Sequence, residues 1–285
     1  MEPSLSSHRE FGLPGTPPLD ARSRHLRAQI VRAFAAARRG HLGSAFSLVE
    51  LLRVLYDQVL TFDPARPRWE GRDRMILSKG HGCLALYAIL ADKGFFPEEA
   101  LWNFCKFDGM LGGHPEFGKV PGVEASTGSL GHGLSLGVGM ALALRGRSSA
   151  GRVFVVDSDG ECNEGALWEA ALSAAKHRLD NLTVLVDYNH MQSYSTTREV
   201  LDLDPLADKW RAFGFQAEEV DGHDVPALGA ALARTPFQPG RPSVLICHTV
   251  KGKGVPFMEG NPAWHHKTNC KDEEIASILS ALKEA

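Results

Sequence analysis

The sequence lacks paired cysteines, an excess of basic residues, a membrane-length apolar run and a glycine-rich dinucleotide fingerprint, and each absence removes a class of protein. Its five cysteines (Cys83, Cys105, Cys162, Cys247 and Cys270) are odd in number, widely spaced and never in a C-x-x-C pair. Neither a disulfide framework nor a zinc ribbon is indicated, and a reducing cytoplasm fits. A formal net charge of −3, with Lys and Arg spread along the chain, offers no basic footprint for nucleic acid and no polybasic membrane patch. No apolar run reaches the roughly 20 residues needed to span a bilayer. The start, MEPSLSSHREFGLPGTPPLD, has Pro, Gly and Ser but no apolar core of signal-peptide length, so residues 1–20 read as a flexible arm on a cytosolic protein. No G-x-G-x-x-G follows a first strand, which speaks against a nicotinamide-dependent dehydrogenase.

What is present is an alternation of short β-rich runs with helical patterns, the signature of a parallel sheet with helical crossovers on both faces. The predicted strands are 74–77, 152–156, 182–186, 215–220 and 243–250, the middle ones almost wholly apolar, as strands buried on both faces must be. The predicted helices are 21–38, 47–60, 82–93, 97–106, 131–144, 164–178, 204–213, 225–234 and 272 to the C-terminus. With 285 residues, 44% of them hydrophobic, and no internal repeat or long linker, residues 21–285 read as one α/β domain. Ligands of such sheets bind at the C-terminal ends of the strands.

One of those ends carries VDSDGECNEG, in which Asp157, Asp159, Glu161 and Glu164 place four carboxylates within eight residues. Acidic residues there can simply end a strand and cap the next helix. The next predicted strand, however, ends at Asp187-Tyr188-Asn189, and a right-handed crossover sets neighbouring strand ends side by side. A carboxylate and an amide oxygen would then converge, hard ligands that suit Mg²⁺ bound together with a phosphate-bearing molecule.

The run DSDGECNEG…WEAALSAAKHRLDNL…DYN resembles the thiamine diphosphate motif of transketolases, which opens Gly-Asp-Gly and closes on an Asn about 30 residues later. Further ordered blocks carry the resemblance from Arg38 to Lys267: RRGHLGSAFSLVELLRVLY, RDRMILSKGHG, GGHPE, PGVEASTGSLGHGLSLGVGMALAL and KGKGVPFMEG. The resemblance implies a thiamine-diphosphate-binding fold of the diphosphate-binding type. It implies that Asp159, Asn189 and the backbone carbonyl of Met191 ligate Mg²⁺, or Ca²⁺ or Mn²⁺ in its place, together with the cofactor's diphosphate. Gly160 and Glu161 would shape the turn, and Gly128, Ser129 and Leu130 would present backbone groups to the cofactor. The same glycine-rich loop also has a plain reading as close helix packing.

Of the twelve histidines, His8, His25, His177, His190 and His248 read as ordinary surface or core residues. His41, His81, His114 and His265 sit in loop or helix-start contexts, and no two have the short spacing of a zinc site on one element. By the same resemblance they line the channel to the reactive carbon: His41 and His265 handle the proton of the donor's C3 hydroxyl, while His81 and His114 hydrogen-bond the substrate's carbonyl end. His81 and His265 would also touch the cofactor. His266 is adjacent to His265, and either could be the matching residue.

Transketolases of the usual kind are more than twice this length, and the block bearing the glutamate that activates the aminopyrimidine has no counterpart here. The resemblance therefore implies a split enzyme: this subunit with a separate C-terminal, pyrimidine-binding partner, assembled as a heterotetramer and acting on sugars or sugar phosphates. Two departures stand out, Ser158 where the motif has Gly and His132 where many transketolases have Gln. Two alternatives stay open: ketol or acyloin transfer on a specialised substrate, and a non-catalytic scaffold of the same fold.

Overall fold

The computed structural model describes residues 18–193, 195–265, 267 and 269–285. Most of the expected arm therefore lies outside the described residues, as does His266. Where the description begins, the chain is anchored: Leu19 is buried, and the Asp20 carboxylate accepts the Ser23 N–H at 2.8 Å, capping α1 (Ala21–Ala37).

Five parallel strands, β1 (Arg74–Leu77), β2 (Val153–Ser158), β3 (Leu182–Tyr188), β4 (Gln216–Asp221) and β5 (Ser243–His248), form one sheet in the order β1-β2-β3-β5-β4. The sheet separates two hydrophobic layers. Phe154 and Val156 of β2 face the layer built by α1, α4 (Cys83–Asp92), α9 (Val225–Leu232) and α10 (Asp272–Glu284). Val153 and Val155 face α5 (Gly133–Gly146), α6 (Gly165–Lys176) and α8 (Leu206–Ala212). Strict alternation along a strand whose every residue is buried is the pattern that an apolar run in a covered parallel sheet produces.

Two expected helices differ from the prediction. The helix expected over 47–60 starts two residues late, as α3 (Val49–Val54), and a short helix that was not expected, α2 (Leu42–Phe46), precedes it; Ser47 stands between the two, its N–H turned to the carbonyls of Ala45 and Gly43 and its hydroxyl donating to Asp187 at 2.7 Å. α3 then widens into a π-turn (Leu55–Val59), with the Leu60 N–H reaching the Leu55 carbonyl at 2.8 Å. The helix expected over 97–106 is a 3₁₀ helix, Glu98–Asn103. It stops because Cys105 adopts a left-handed conformation (φ 54°) and gives its N–H to Leu111 at 2.8 Å, turning the chain back toward the sheet. The short helix α7 (Thr197–Leu201) lies between β3 and α8.

Candidate active site

The carboxyl ends of four adjacent strands, β1, β2, β3 and β5, contribute to one site. The ends of β2 and β3 are in direct contact: Ser158 is in register with Asp187, and the Asp159 N–H donates to the Asp187 carbonyl at 3.3 Å. Asp159 accepts the Gly160 N–H at 2.8 Å through Oδ1, while its buried Oδ2 has no hydrogen-bond partner. Burial, and then the nearby charge of Asp187, push the Asp159 carboxyl up to about 7. Asn189 is also buried, donating to Asp187 Oδ2 at 3.2 Å and accepting the Met191 N–H at 3.2 Å. The Met191 carbonyl accepts from Lys251 Nζ at 3.2 Å.

Asp187 explains how so much charge is tolerated. It sits inside a strand buried along its whole length, where an unpaired carboxylate would cost several kcal/mol. The Lys79 ammonium, the hydroxyls of Ser47 and Thr249, and the Asn189 amide all donate to it. Burial alone would raise this carboxyl, but the Lys79 charge and these donors hold it below its ordinary value. Lys251, itself buried, is pushed down to about 8 by desolvation and by the Lys79 charge. Lys79, Asp187, Lys251, Ser47 and Thr249 escaped the motif reading. The one signal available for them was a charged residue ending an unbroken apolar strand, which demands a buried cation.

Glu161 is a clamp. Its Oε1 accepts the Ser78 hydroxyl at 2.5 Å and the Gly131 N–H at 3.0 Å, and its Oε2 accepts the Ser158 N–H at 3.1 Å. One carboxylate thus fastens the ends of β1 and β2 to the loop that starts α5. That loop needs its glycines: Gly128 has φ +149°, and a Cβ there would lie 2.9 Å from the His114 ring, while a Cβ on Gly133 would lie 2.3 Å from Ser78 Oγ. Ser129 and Leu130 follow on this loop, with the Ser129 hydroxyl 3.4 Å and the Leu130 carbonyl 3.0 Å from His132 Nδ1. His132 is therefore occupied locally. Ser158 fits its position with its hydroxyl 3.4 Å from Glu161. Asp157 lies behind the turn, fully buried, its carboxyl raised well above the usual range by burial and by Glu161.

Three of the four predicted histidines converge. Ring centroids are 5.3 Å apart for His41 and His81, 6.0 Å for His41 and His265, and 6.3 Å for His81 and His265, and His41 Nδ1 lies 3.1 Å from the His265 carbonyl. His265 is 6% exposed. His81 is held well below its ordinary pKa by burial and then by the charge of Lys79, with Lys251 adding to the effect, so the histidine group and the lysine–carboxylate seat are electrostatically one site. His41, His81 and His114 share the wall of a cleft of about 380 Å³. His114 is placed from the other side, where Tyr87 donates to its carbonyl at 2.8 Å and Cys83 Sγ donates to the Gly113 carbonyl at 3.1 Å.

Among the described residues, no three His, Cys, Asp or Glu side chains gather as a metal cluster. The set expected here is mixed: one carboxylate, one amide oxygen and one carbonyl. The partnerless Asp159 Oδ2 fits a hard cation, on a strand end that shares Asp187 as a hydrogen-bond partner with Asn189, while the Met191 carbonyl already accepts a cationic group.

Fold and site together define an α/β protein built to hold a charged cofactor at its strand ends, beside a histidine-lined cleft. Residues 21–283 match the family model described as transketolase, thiamine diphosphate binding domain. One of the subunits of the apulose-4-phosphate transketolase from Actinobacillus succinogenes is 42% identical over 268 residues, covering 93% of this chain and 96% of that protein. A 6-deoxy-6-sulfo-D-fructose transketolase subunit from Clostridium sp. is 41% identical over 245 residues, covering 86% and 89%. The transketolase structure from Leishmania mexicana superposes with a TM-score of 0.86 at 28% identity, over 92% of this chain and 40% of that one. The chain belongs to the transketolase family. It spans about two-fifths of the length of the solved transketolases it matches, and nearly the whole of the separately encoded subunits.

Proposed function

We propose that this chain is the diphosphate-binding subunit of a thiamine diphosphate-dependent transketolase, moving a two-carbon ketol unit from a ketose donor to an aldehyde acceptor together with a separate pyrimidine-binding subunit. The observation that carries this reading is the convergence of His41, His81 and His265; the buried Lys79 and Lys251 whose charge acts on His81 also bond Asp187 and the Met191 carbonyl, at the strand ends that bear the Asp159, Asn189 and Met191 oxygens. Those three oxygens would hold the divalent ion (Mg²⁺, or Ca²⁺ or Mn²⁺). Lys251 and the loop Gly128-Ser129-Leu130 would meet the diphosphate, with Gly160 and Glu161 keeping the turn in shape. When bound, thiamine diphosphate supplies the electron sink that no side chain can provide for an acyl-anion equivalent.

The protein's own residues do the rest. Breaking the C2–C3 bond of the donor requires removal of the C3 hydroxyl proton, and His41 with the neighbouring His265 are the groups for it. His81, kept neutral by burial and by Lys79, offers the substrate's carbonyl end a hydrogen bond without a charge. His114, fixed by Tyr87, offers a second from the opposite wall. The buried position of His265 and of the seat behind it keeps water from the reacting carbon.

The partner is supported by the names of the relatives, which are those of separate transketolase subunits, and by α5, whose Ser135, Leu136, Gly139 and Ala143 are solvent-facing in this chain. Leu136 is 43% exposed, and Leu172 on the neighbouring α6 is 57% exposed, an apolar face suited to contact with another chain and to assembly as a heterotetramer. A donor or acceptor outside central sugar metabolism is supported by the relatives' names, which specify an apulose phosphate and a sulfonated fructose. No described helix is long and apolar enough to cross a membrane. Co-purifying the chain with its partner and measuring ketol transfer from candidate donors tests this reading. Absence of thiamine diphosphate binding by the complex would refute it.

A further inference from the structure

We propose that Arg39 recognises the anionic end of the substrate, so that this chain itself selects ketoses carrying a terminal phosphate or sulfonate; this rests on the transketolase reading above. Arg38 and Arg39 follow α1 and have opposite fates. Arg38 takes the left-handed position (φ 54°) and is tied down, donating to the Asp272 carboxylate at 2.5 Å and to the Cys270 carbonyl at 3.1 Å. The turn it makes, continued by Gly40 (φ +136°), points the chain into the cleft as Arg39-Gly40-His41. Arg39 is exposed, lines the cleft, and makes no ion pair with a carboxylate among the described residues.

The cleft is built for negative charge. Its walls contain Arg39 and three imidazoles and no carboxylate. The Arg39 guanidinium lies against the Cys105 thiol, and Cys105 Sγ would lie 3.6 Å from a Cβ on Gly113, so the cation is held at the cleft wall next to the Gly113–His114 loop. Exposure ranks the groups: His265 is buried, His41 and His81 are half-buried, and Arg39 and His114 are exposed. A sugar with its reacting carbons between His41 and His265 would extend its far end outward to Arg39. There the planar guanidinium can donate two parallel hydrogen bonds to a phosphate or sulfonate, which a point charge cannot do equally well.

The test is kinetic, with the complex of this chain and its partner. kcat/KM is measured for a ketose phosphate, a ketose sulfonate and the neutral ketose, in the native protein, R39Q and R39K. In R39Q the preference for anionic over neutral donor should fall by about tenfold or more, through KM rather than kcat, and R39K should recover part of it. Loss confined to one anionic donor names that anion as the one recognised. A preference that survives R39Q, or anionic and neutral donors weakening in parallel, overturns the proposal. A second readout does not depend on turnover: imidazole proton shifts of the full chain, titrated with the same sugars. An Arg39-dependent preference in that titration, with no ketol transfer by the complex, would leave this inference standing and remove the transketolase reading alone.

Discussion

The Lys79 ammonium is buried against the Asp187 carboxylate at the end of β3, with neither side chain more than 1% exposed. This pair holds the strand-end charges of the site in place. Asp187 raises the pKa of Asp159, and Lys79 opposes that rise while suppressing protonation of His81. Burial is the larger influence on both groups, and one buried pair thus adds its charge to both Asp159 and His81.

Removing one member strands the other. Lys79→Met should destabilise the chain by about 3–5 kcal/mol, because Asp187 is left charged inside a covered sheet. Lys79→Met with Asp187→Asn should recover much of that loss. Urea denaturation of the two variants checks this; a single-variant loss below about 1 kcal/mol would show that the pair is not the organising contact.

Asp159 carries a pH signature. Its carboxyl stands near 7 in the fold against an ordinary value of 3.8, so the unfolded chain releases this proton at lower pH than the folded one does. Its contribution to stability is therefore lost as pH rises from about 4 to about 7. Asp159→Asn removes that dependence and should be the more stable protein at pH 8, by up to about 4 kcal/mol, with the difference vanishing near pH 4. Stability curves at the two pH values decide it.

Cation affinity follows the same group with opposite sense. The ion needs the deprotonated carboxylate, so Mg²⁺ affinity should weaken by up to about tenfold per pH unit below 7 and level off above it. Isothermal titration of the complex with Mg²⁺ and thiamine diphosphate across pH 5.5–8.5 measures the slope.

Gly128→Ala should cost about 1–3 kcal/mol, since the new methyl meets the His114 ring in a backbone conformation that L-residues rarely adopt. The accompanying loss in kcat/KM should exceed the loss in thiamine diphosphate affinity if His114 works on substrate; equal losses would place the loop on the cofactor alone.

The sheet could be read from the sequence because its inner strands are nearly unbroken apolar runs: β2 and β3 differ from expectation only at their ends, and at the sheet edge the residues expected for β1 are those observed. The helices departed from expectation where the backbone had business elsewhere, as when Cys105 took a left-handed conformation, gave its N–H to Leu111 and left only a 3₁₀ helix before it. The histidines were visible through their glycine neighbours, and Asp159 and Asn189 through their spacing around one crossover. Lys79 and Lys251 were not, because nothing local distinguishes a buried lysine from a solvated one. Only the strand order β1-β2-β3-β5, which brings four distant segments to one edge, reveals their task.

Thiamine diphosphate binding and ketol transfer by the complex, with and without Asp159→Ala, put the reading to its most direct test. The complex should bind the cofactor and turn over, this chain alone should show little or no turnover, and Asp159→Ala should abolish cofactor retention. Full turnover by this chain alone, or undiminished thiamine diphosphate binding in the Asp159→Ala complex, would contradict it.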